Sequence, residues 1–339
     1  MVLDLTTNSS STVFSPPTVL EQLVLPVSLP SSNGEPCEEQ SAPPSEELSL
    51  LFLGCEANPP YGPYIHTATL FLELIRKALE KCSKNPMLVR LTVFPASEGH
   101  LPESADPYDG VILPGSFNSA YDQDNWVLRL SKFIQEELVA KAKPTMGVCF
   151  GHQIYAHSFG GNGKSVDGGV CVKCPAGKQI GPCTFPTTAV GQTVFQQSSL
   201  SLYYTHGDMV ESLPYIGLSL GGNDVVPIQS AMYFASPEQA AAAAAAAASD
   251  GDVSSFLSSS LSPMAITFQA HPEYATSREL GVDKTLMKIM DHMMDLGLVT
   301  TEHRDVARKK AYEEYDRIEQ QSSQVMITVG RLLGWFPKE

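Results

Sequence analysis

The sequence predicts an α/β fold: a doubly wound, mostly parallel sheet with an antiparallel extension, built as a single domain. Three observations carry this expectation. Strand-like apolar runs alternate with helix-spaced segments between residues 48 and 160, the pattern left by successive strand–helix–strand units. From residue 169 onward strand-like segments follow one another without intervening helices, as antiparallel neighbours do. The chain has 339 residues, 43% of them hydrophobic, which is enough to cover both faces of such a sheet.

Residues 1–46 are rich in Ser, Pro, Thr and Glu ("SPPT", "PSSNG", "SAPPSEE") and read as a disordered tail, because so little apolar surface does not offset chain entropy. Within it only "TVLEQLVLPVSL" (18–29) is apolar enough to dock. The domain itself is expected over 47–300. "LSLLFLGC" (48–55) is a continuous apolar run suited to a buried parallel strand. In "YIHTATLFLELIRKALEKC" Leu70, Leu74, Ile75 and Leu79 recur at helical spacing. Strands follow at "MLVRLTVFPA" (87–96) and "YDGVILPG" (108–115), then a helix near "DNWVLRLSKFIQEELVAKA", strand "TMGVCF" and a short helix "HQIYAHSF". The later strands are "GVCVKC", "LSLYYTH", "QSAMYFA" and "MAITFQAHPEY". Residues 236–262 form an Ala-rich, then Ser-rich insert, read as a solvent-exposed expansion of a hairpin, since loop closure penalises added length only slowly. Its alanine run is too short to hold a helix alone. Residues 301–339 read as a helical C-terminal extension in which "GRLLGWF" packs back.

Charge and cysteine usage narrow the partners. With 37 acidic and 22 basic residues the net charge is −15, which repels phosphate backbones and anionic lipid, so no nucleic-acid partner is expected. No apolar run approaches the ~18 residues a membrane helix needs, so no membrane partner is expected either. Seven cysteines (37, 55, 82, 149, 171, 174, 183), odd in number and scattered, argue against a disulfide framework and for a reducing compartment. No Lys or Arg precedes Arg76, so the start lacks the marks of a secretory or mitochondrial leader, and a cytosolic location is expected.

The stretch "GVCFGHQ" (147–153) sets Cys149 between two glycines after a predicted strand. A strand that turns sharply into a helix brings backbones together, which calls for glycine two residues before and two after the turning residue, here Gly147 and Gly151. Helix N-terminal N–H groups at such a turn lower a thiol pKa and stabilise an oxyanion. A buried structural cysteine would also suit the turn; the G-x-C-x-G frame favours a nucleophile. Downstream, "QAHPEY" (269–274) places His271 and Glu273 at i and i+2 after a predicted strand, where the carboxylate faces the same way as the imidazole. A surface histidine in a turn is the alternative for that motif alone; with the elbow it completes a Cys, His, carboxylate set.

"GVCFGHQ" followed by "AHPEY" resembles the class I glutamine amidotransferases, with the likeness running over residues 48–275. The resemblance implies a flavodoxin-like sheet, Cys149 as nucleophile, His271 as base and then acid, Glu273 as its orienter, and a γ-glutamyl thioester intermediate. "LPGS" (113–116) matches the family's oxyanion loop, implying backbone N–H groups near Gly115 and at Phe150. Ser116 in that loop, Gln153 after the elbow, and Thr205 and His206 in "YTHGDMV" (204–210) are implied substrate-binding residues. No metal and no cofactor are implied. The run "GSFNSAYDQDNW" lacks a second glycine after "PG" and is closer to the stand-alone branch that includes plant γ-glutamyl peptidases. It favours a small γ-glutamyl amide over free glutamine as substrate. Two alternatives stand beside this hydrolase: a glutaminase subunit passing ammonia to a separate synthase chain, and a non-catalytic binding or regulatory member.

Other motifs carry less. Cys171 and Cys174 in "CVKC" fall at i and i+3 of a strand, on opposite faces, and read as structural. "GNGKS" (161–165) lacks the first glycine and the preceding strand of a phosphate loop. His152 and His157 read as packing histidines.

Overall fold

The computed structural model describes residues 17–24, 46–160, 168–250 and 261–337. Most of the serine- and proline-rich tail, the "GNGKS" motif and the serine-rich part of the insert therefore lie outside the described residues.

Strand β1 (Thr18–Val24) comes from the segment of the tail whose apolar residues mark it out, and it adds antiparallel to β3 (Met87–Phe94). β2 (Glu46–Leu53) is buried along its second half, as a strand covered on both faces must be. Helix α1 (Tyr64–Cys82) buries Leu70, Phe71, Leu74, Ile75 and Leu79 on one side. β4 (Gly110–Leu113), helix α2 (Asn125–Phe133, continuing as a π-helical turn over Ile134–Val139), β5 (Thr145–Val148) and helix α3 (Phe150–His157) follow. Ribbon strands β6 (Val170–Lys173) and β7 (Gln179–Pro186) lead to helix α4 (Ala189–Phe195), then β8 (Ser199–His206), β9 (Asp208–Ser212), β10 (Gly217–Gly221) and β11 (Ser230–Tyr233). Helix α5 (Pro237–Asp250) precedes β12 (Ala265–Phe268). The chain ends in a 3-10 turn (Pro272–Ala275), a π-helical segment (Arg278–Leu286) running into α6 (Met287–Asp295), and helices α7 (Thr301–Glu313) and α8 (Tyr315–Leu332).

The main sheet has eight strands in the order β1-β3-β2-β4-β5-β12-β11-β10. β3, β2, β4, β5 and β12 run parallel, while β11 and β10 extend the sheet antiparallel. β5 is central. Leu113 of β4 pairs with Gly147, and Phe268 of β12 with Val148, so three strands end side by side. The residues just after each of them, 114–116, 149–150 and 269–273, share one edge of the sheet, where parallel α/β sheets place their sites.

Four sequence expectations change. The second half is not free of helices, since α4 separates β7 from β8, and β12 is parallel instead of antiparallel. β6–β9 and β7–β8 form two separate antiparallel ribbons, leaving only β11 and β10 as the extension. The alanine run is no exposed expansion: Ala240, Ala243 and Ala247 are buried and join the main core. Alanine carries the best helix propensity, and its short side chain lets α5 approach closely, so packing supplies what length alone does not.

The C-terminal helix also belongs to that core. Val325, Met326, Val329, Leu332, Trp335 and Phe336 pack with α1 and the sheet in one cluster. At the end of "GRLLGWF" the indole of Trp335 lies against Gly110, where a Cβ would meet its Nε1 at 2.2 Å. Among the described residues no helix is long and apolar enough to cross a membrane.

Candidate active site

Cys149 follows β5 with φ 53° and ψ −106°, a conformation non-glycine residues seldom adopt. Its N–H donates to Phe268 O at 2.7 Å, tying the turn to β12, and Gly151 N–H donates to Pro114 O at 3.1 Å, tying it to the loop after β4. The flanking glycines are required by contact. A Cβ on Gly151 would stand 2.0 Å from Leu113 O, and one on Gly147 would stand 2.8 Å from Gly151 O. The backbone strain at Cys149 is therefore held by neighbours on both sides. Phe150 is the first residue of α3, so its N–H has no acceptor within the helix, and Cys149 before it borders the cleft space. Across that space a Cβ on Gly115 would lie 2.9 Å from His271 Cε1 and 3.5 Å from Cys149 Cβ. Only a residue without a side chain fits there.

His271 follows β12 and is held at three points. Its N–H donates to Tyr203 O at 2.8 Å, Nδ1 lies 2.7 Å from Glu273 Oε1, and Nε2 lies 3.0 Å from Thr205 Oγ1. Its ring stacks on that of Tyr274, with centroids 4.2 Å apart and planes 4° from parallel. Burial by itself lowers the His271 pKa, but the negative charges of Glu273 and Cys149, with hydrogen bonds to both, more than offset it and raise it to about 10. The imidazolium donates from both ring nitrogens, toward Glu273 and toward Thr205. Glu273 is 0% exposed, and its Oε2 has no partner among the described residues. Its charge is thus directed at His271.

Gly115, Ser116, Cys149, Thr205, His271 and Glu273 line one cleft, together with Tyr61, Thr67 and Tyr274. Gln153 and His206 line an adjoining lobe that shares Ser116, Cys149 and Thr205. The structure thus brings these site residues expected from sequence to one place, while the ring of Phe150, expected to act through its backbone, packs against Trp126. Their contacts differ in kind. Thr205 engages the imidazole, and Gln153 Nε2 donates to Asp208 O at 2.9 Å and Gln269 Oε1 at 3.1 Å, bracing the wall of the lobe. His206 Nδ1 lies 3.0 Å from Asp208 O, and burial pushes its pKa down to about 3, so the ring is neutral.

Sequence reasoning did not single out Tyr61, Lys178, Asp208 or Tyr274. Tyr274 and Asp208 stand inside the quoted motifs "AHPEY" and "YTHGDMV", so the motif itself was the available signal. Tyr61 and Lys178 sit in connecting segments with no periodic pattern, and only the fold brings them to the cleft. His152 is fully buried between Thr267 Oγ1 at 2.6 Å and Ile228 O at 3.2 Å, and burial lowers its pKa to about 4. His157 Nδ1 accepts the N–H of Cys171 at 3.3 Å. Among the described residues no cluster of three or more His, Cys, Asp or Glu is arranged to hold a metal ion.

The fold has solved counterparts. A glutamine amidotransferase of Thermotoga maritima superimposes with a TM-score of 0.55, covering 84% of this chain and 98% of its own at 14% identity. One from Methylobacillus flagellatus gives 0.53, with 87% and 97% covered, also at 14% identity. At that identity the likeness establishes architecture alone: an α/β protein with the glutamine amidotransferase fold. The family profile "Glutamine amidotransferase class-I" matches residues 68–283, more than half of the sequence. The chain therefore belongs to the class I glutamine amidotransferase family. A glutamine amidotransferase-like protein of Saccharomyces cerevisiae is 30% identical over 167 residues, 47% of this chain and 61% of its own. Gamma-glutamyl peptidase 5 of Arabidopsis thaliana is 27% identical over 143 residues, 42% of this chain and 56% of its own. The chain thus spans about six-tenths of the length of these curated relatives.

Proposed function

We propose that this protein is a cysteine hydrolase that cleaves γ-glutamyl amide bonds of small molecules through a γ-glutamyl thioester on Cys149. The observation that carries the reading is the elbow geometry: Cys149 held at φ 53° between Gly147 and Gly151, facing an imidazolium fixed by a buried carboxylate. Relatives named as gamma-glutamyl peptidases support the choice of bond.

The chemistry follows from the positions. The Cys149 thiolate attacks the γ-carbonyl carbon, and the carbonyl π electrons move onto oxygen, which the backbone N–H groups at Phe150 and near Gly115 stabilise. Collapse of this adduct breaks the C–N bond, and His271 Nε2 gives its proton to the departing amine. The neutral imidazole then takes a proton from water as the water oxygen attacks the thioester, and collapse releases the acid and the thiolate. Glu273 holds the ring in position and stabilises its charged form at both ends of the cycle. Thr205 Oγ1, 3.0 Å from Nε2, holds the proton-bearing nitrogen in the interval before substrate arrives.

The test is a panel of γ-glutamyl amides, comprising glutamine, glutathione and γ-glutamyl conjugates, assayed with wild type and Cys149→Ala. Release of the amine by wild type alone is expected. Absence of cleavage across the panel, together with no selective alkylation of Cys149 by iodoacetamide near neutral pH, overturns the reading.

A further inference from the structure

Tyr61 stands in the segment between β2 and α1 and lines the catalytic cleft that holds Cys149 and His271. Its hydroxyl is buried and has no hydrogen-bond partner among the described residues. The other hydroxyls of that cleft are engaged. Thr67 Oγ1 donates to Tyr61 O at 3.0 Å, Ser116 Oγ accepts the N–H of Asn118 at 3.2 Å, Thr205 Oγ1 lies 3.0 Å from His271 Nε2, and the Tyr274 hydroxyl is hydrogen-bonded to Thr205. A buried hydroxyl left unpaired carries the full penalty of its desolvation, so the one such group in a reactive cleft is a place held for a ligand.

The ring that carries this hydroxyl is fixed. It packs on Phe117 with centroids 5.3 Å apart and meets His292 of α6 edge-on at 6.2 Å. Gly62 N–H donates to Asn58 O at 2.7 Å, in a turn so tight that a Cβ on Gly62 would stand 2.6 Å from Ala57 C. Glu56 Oε2 accepts the Phe117 N–H at 3.2 Å and ties the segment to the loop after β4. Burial, then the negative charges of Cys149 and Glu56, push the Tyr61 pKa well up, so the hydroxyl keeps its proton and serves as a donor. The direction of the chemistry decides what it meets. His271 hands its proton to the departing amine, so the substituent on that amine leaves along the face that His271 and Tyr274 border. Tyr61 lines the same face and is near enough to Tyr274 to interact with it electrostatically. Ammonia offers such a donor nothing to bind, whereas a residue joined through the scissile amide carries a carbonyl oxygen close behind its nitrogen.

We propose that Tyr61 sets leaving-group specificity: its hydroxyl donates a hydrogen bond to the carbonyl oxygen of the residue joined to the γ-glutamyl group, which makes γ-glutamyl peptides better substrates than glutamine or simple alkylamides. The assignment rests on the functional reading above and narrows its substrates. It gives the Tyr61 hydroxyl no part in the attack on the γ-carbonyl, so its contribution follows the acceptor on the departing amine.

The experiment removes the donor and the acceptor in turn. γ-L-glutamyl-L-alaninamide is compared with γ-L-glutamylethylamide, which keeps the alkyl group on nitrogen but lacks the carbonyl beyond it, and with L-glutamine, in wild type and Tyr61→Phe. Wild type is expected to prefer the alaninamide by at least about fivefold in kcat/KM, the size of one neutral hydrogen bond. Tyr61→Phe keeps the ring against Phe117 and His292 and should erase that preference. A variant that lowers all three substrates by the same factor, and so keeps the preference, overturns the proposal, since a structural role or a contact with the γ-carbonyl gives that pattern. A wild type that does not discriminate overturns it too. Should no amide be cleaved, the functional reading fails separately, and calorimetry on Cys149→Ala still reads the subsite. Binding of the alaninamide at least about fivefold tighter than the ethylamide, equalised when Tyr61→Phe is added, supports it, and equal or absent binding to Cys149→Ala overturns it.

Discussion

Replacing Glu273 by Gln removes the full charge facing His271 while leaving an oxygen able to accept from Nδ1. With Nδ1 and Oε1 2.7 Å apart, the charge centres of an imidazolium and a carboxylate stand about 4 Å from each other. At an effective dielectric of about 20 that interaction is worth ~4 kcal/mol, or about three pKa units at ~1.36 kcal/mol each. The His271 pKa, raised to about 10 in the native protein, should then fall to about 7 in the variant. Because the folded-state value lies above the ordinary 6.5, protonation stabilises the fold fully below pH 6.5, and this contribution is lost as pH rises toward 10. The stability difference between wild type and Glu273→Gln should therefore shrink by about 4 kcal/mol between about pH 7 and pH 10, read by urea unfolding. The same window should appear in the rate of Cys149 alkylation by iodoacetamide. Wild type keeps its imidazolium to about pH 10 and its profile stays flat below that, whereas the variant loses its imidazolium near pH 7 and its profile inflects there. A pH-independent stability difference together with superimposable alkylation profiles would refute the electrostatic coupling of Glu273 to the site.

Other perturbations test the frame around the nucleophile. Cys149→Gly and Cys149→Ala should both abolish alkylation at this position, but the glycine variant should be the more stable by about 1 kcal/mol in urea, since alanine keeps the strain of φ 53°. Gly151→Ala forces a methyl to within 2.0 Å of Leu113 O and should cost about 1–3 kcal/mol while slowing alkylation; unchanged melting and reactivity would mean the elbow does not touch β4. In α5, Ala243→Glu buries an unpaired charge and should destabilise by at least about 2 kcal/mol, whereas Ala241→Glu on the exposed side should stay within about 0.5 kcal/mol, both read by thermal unfolding.

The parts of the fold legible in sequence are those whose local pattern and final environment agree. The apolar runs that became β2, β3, β4 and β5 are buried on both faces, so composition alone marked them. The glycine frame at 147–151 was legible because steric contact, not chain context, demands it. The ribbons were not: whether a strand pairs within the main sheet or with a single partner depends on long-range register, which residue alternation leaves open. The docking of helix α5 is not legible in sequence because nine alanines have no amphipathic period, and the burial of three of them comes from α4 and β10 beneath. At the site, Cys149, His271 and Glu273 announce themselves by motif, while Lys178 and Tyr61 arrive from loops and could be placed only once the strands were ordered.

Helix α5 owes one property to its monotony. Ala240, Ala243 and Ala247 are the residues turned inward, yet any three alanines at the same spacing would present an identical surface. A residue gained or lost within the run advances the downstream residues by ~1.5 Å and turns them by ~100°, and leaves the inward stripe chemically the same. The docking of this helix is therefore indifferent to the number of alanines it contains, within the length that α4 and β10 cover. Repeat-length variants of the tract should fold alike and leave the cleft beside Cys149 untouched.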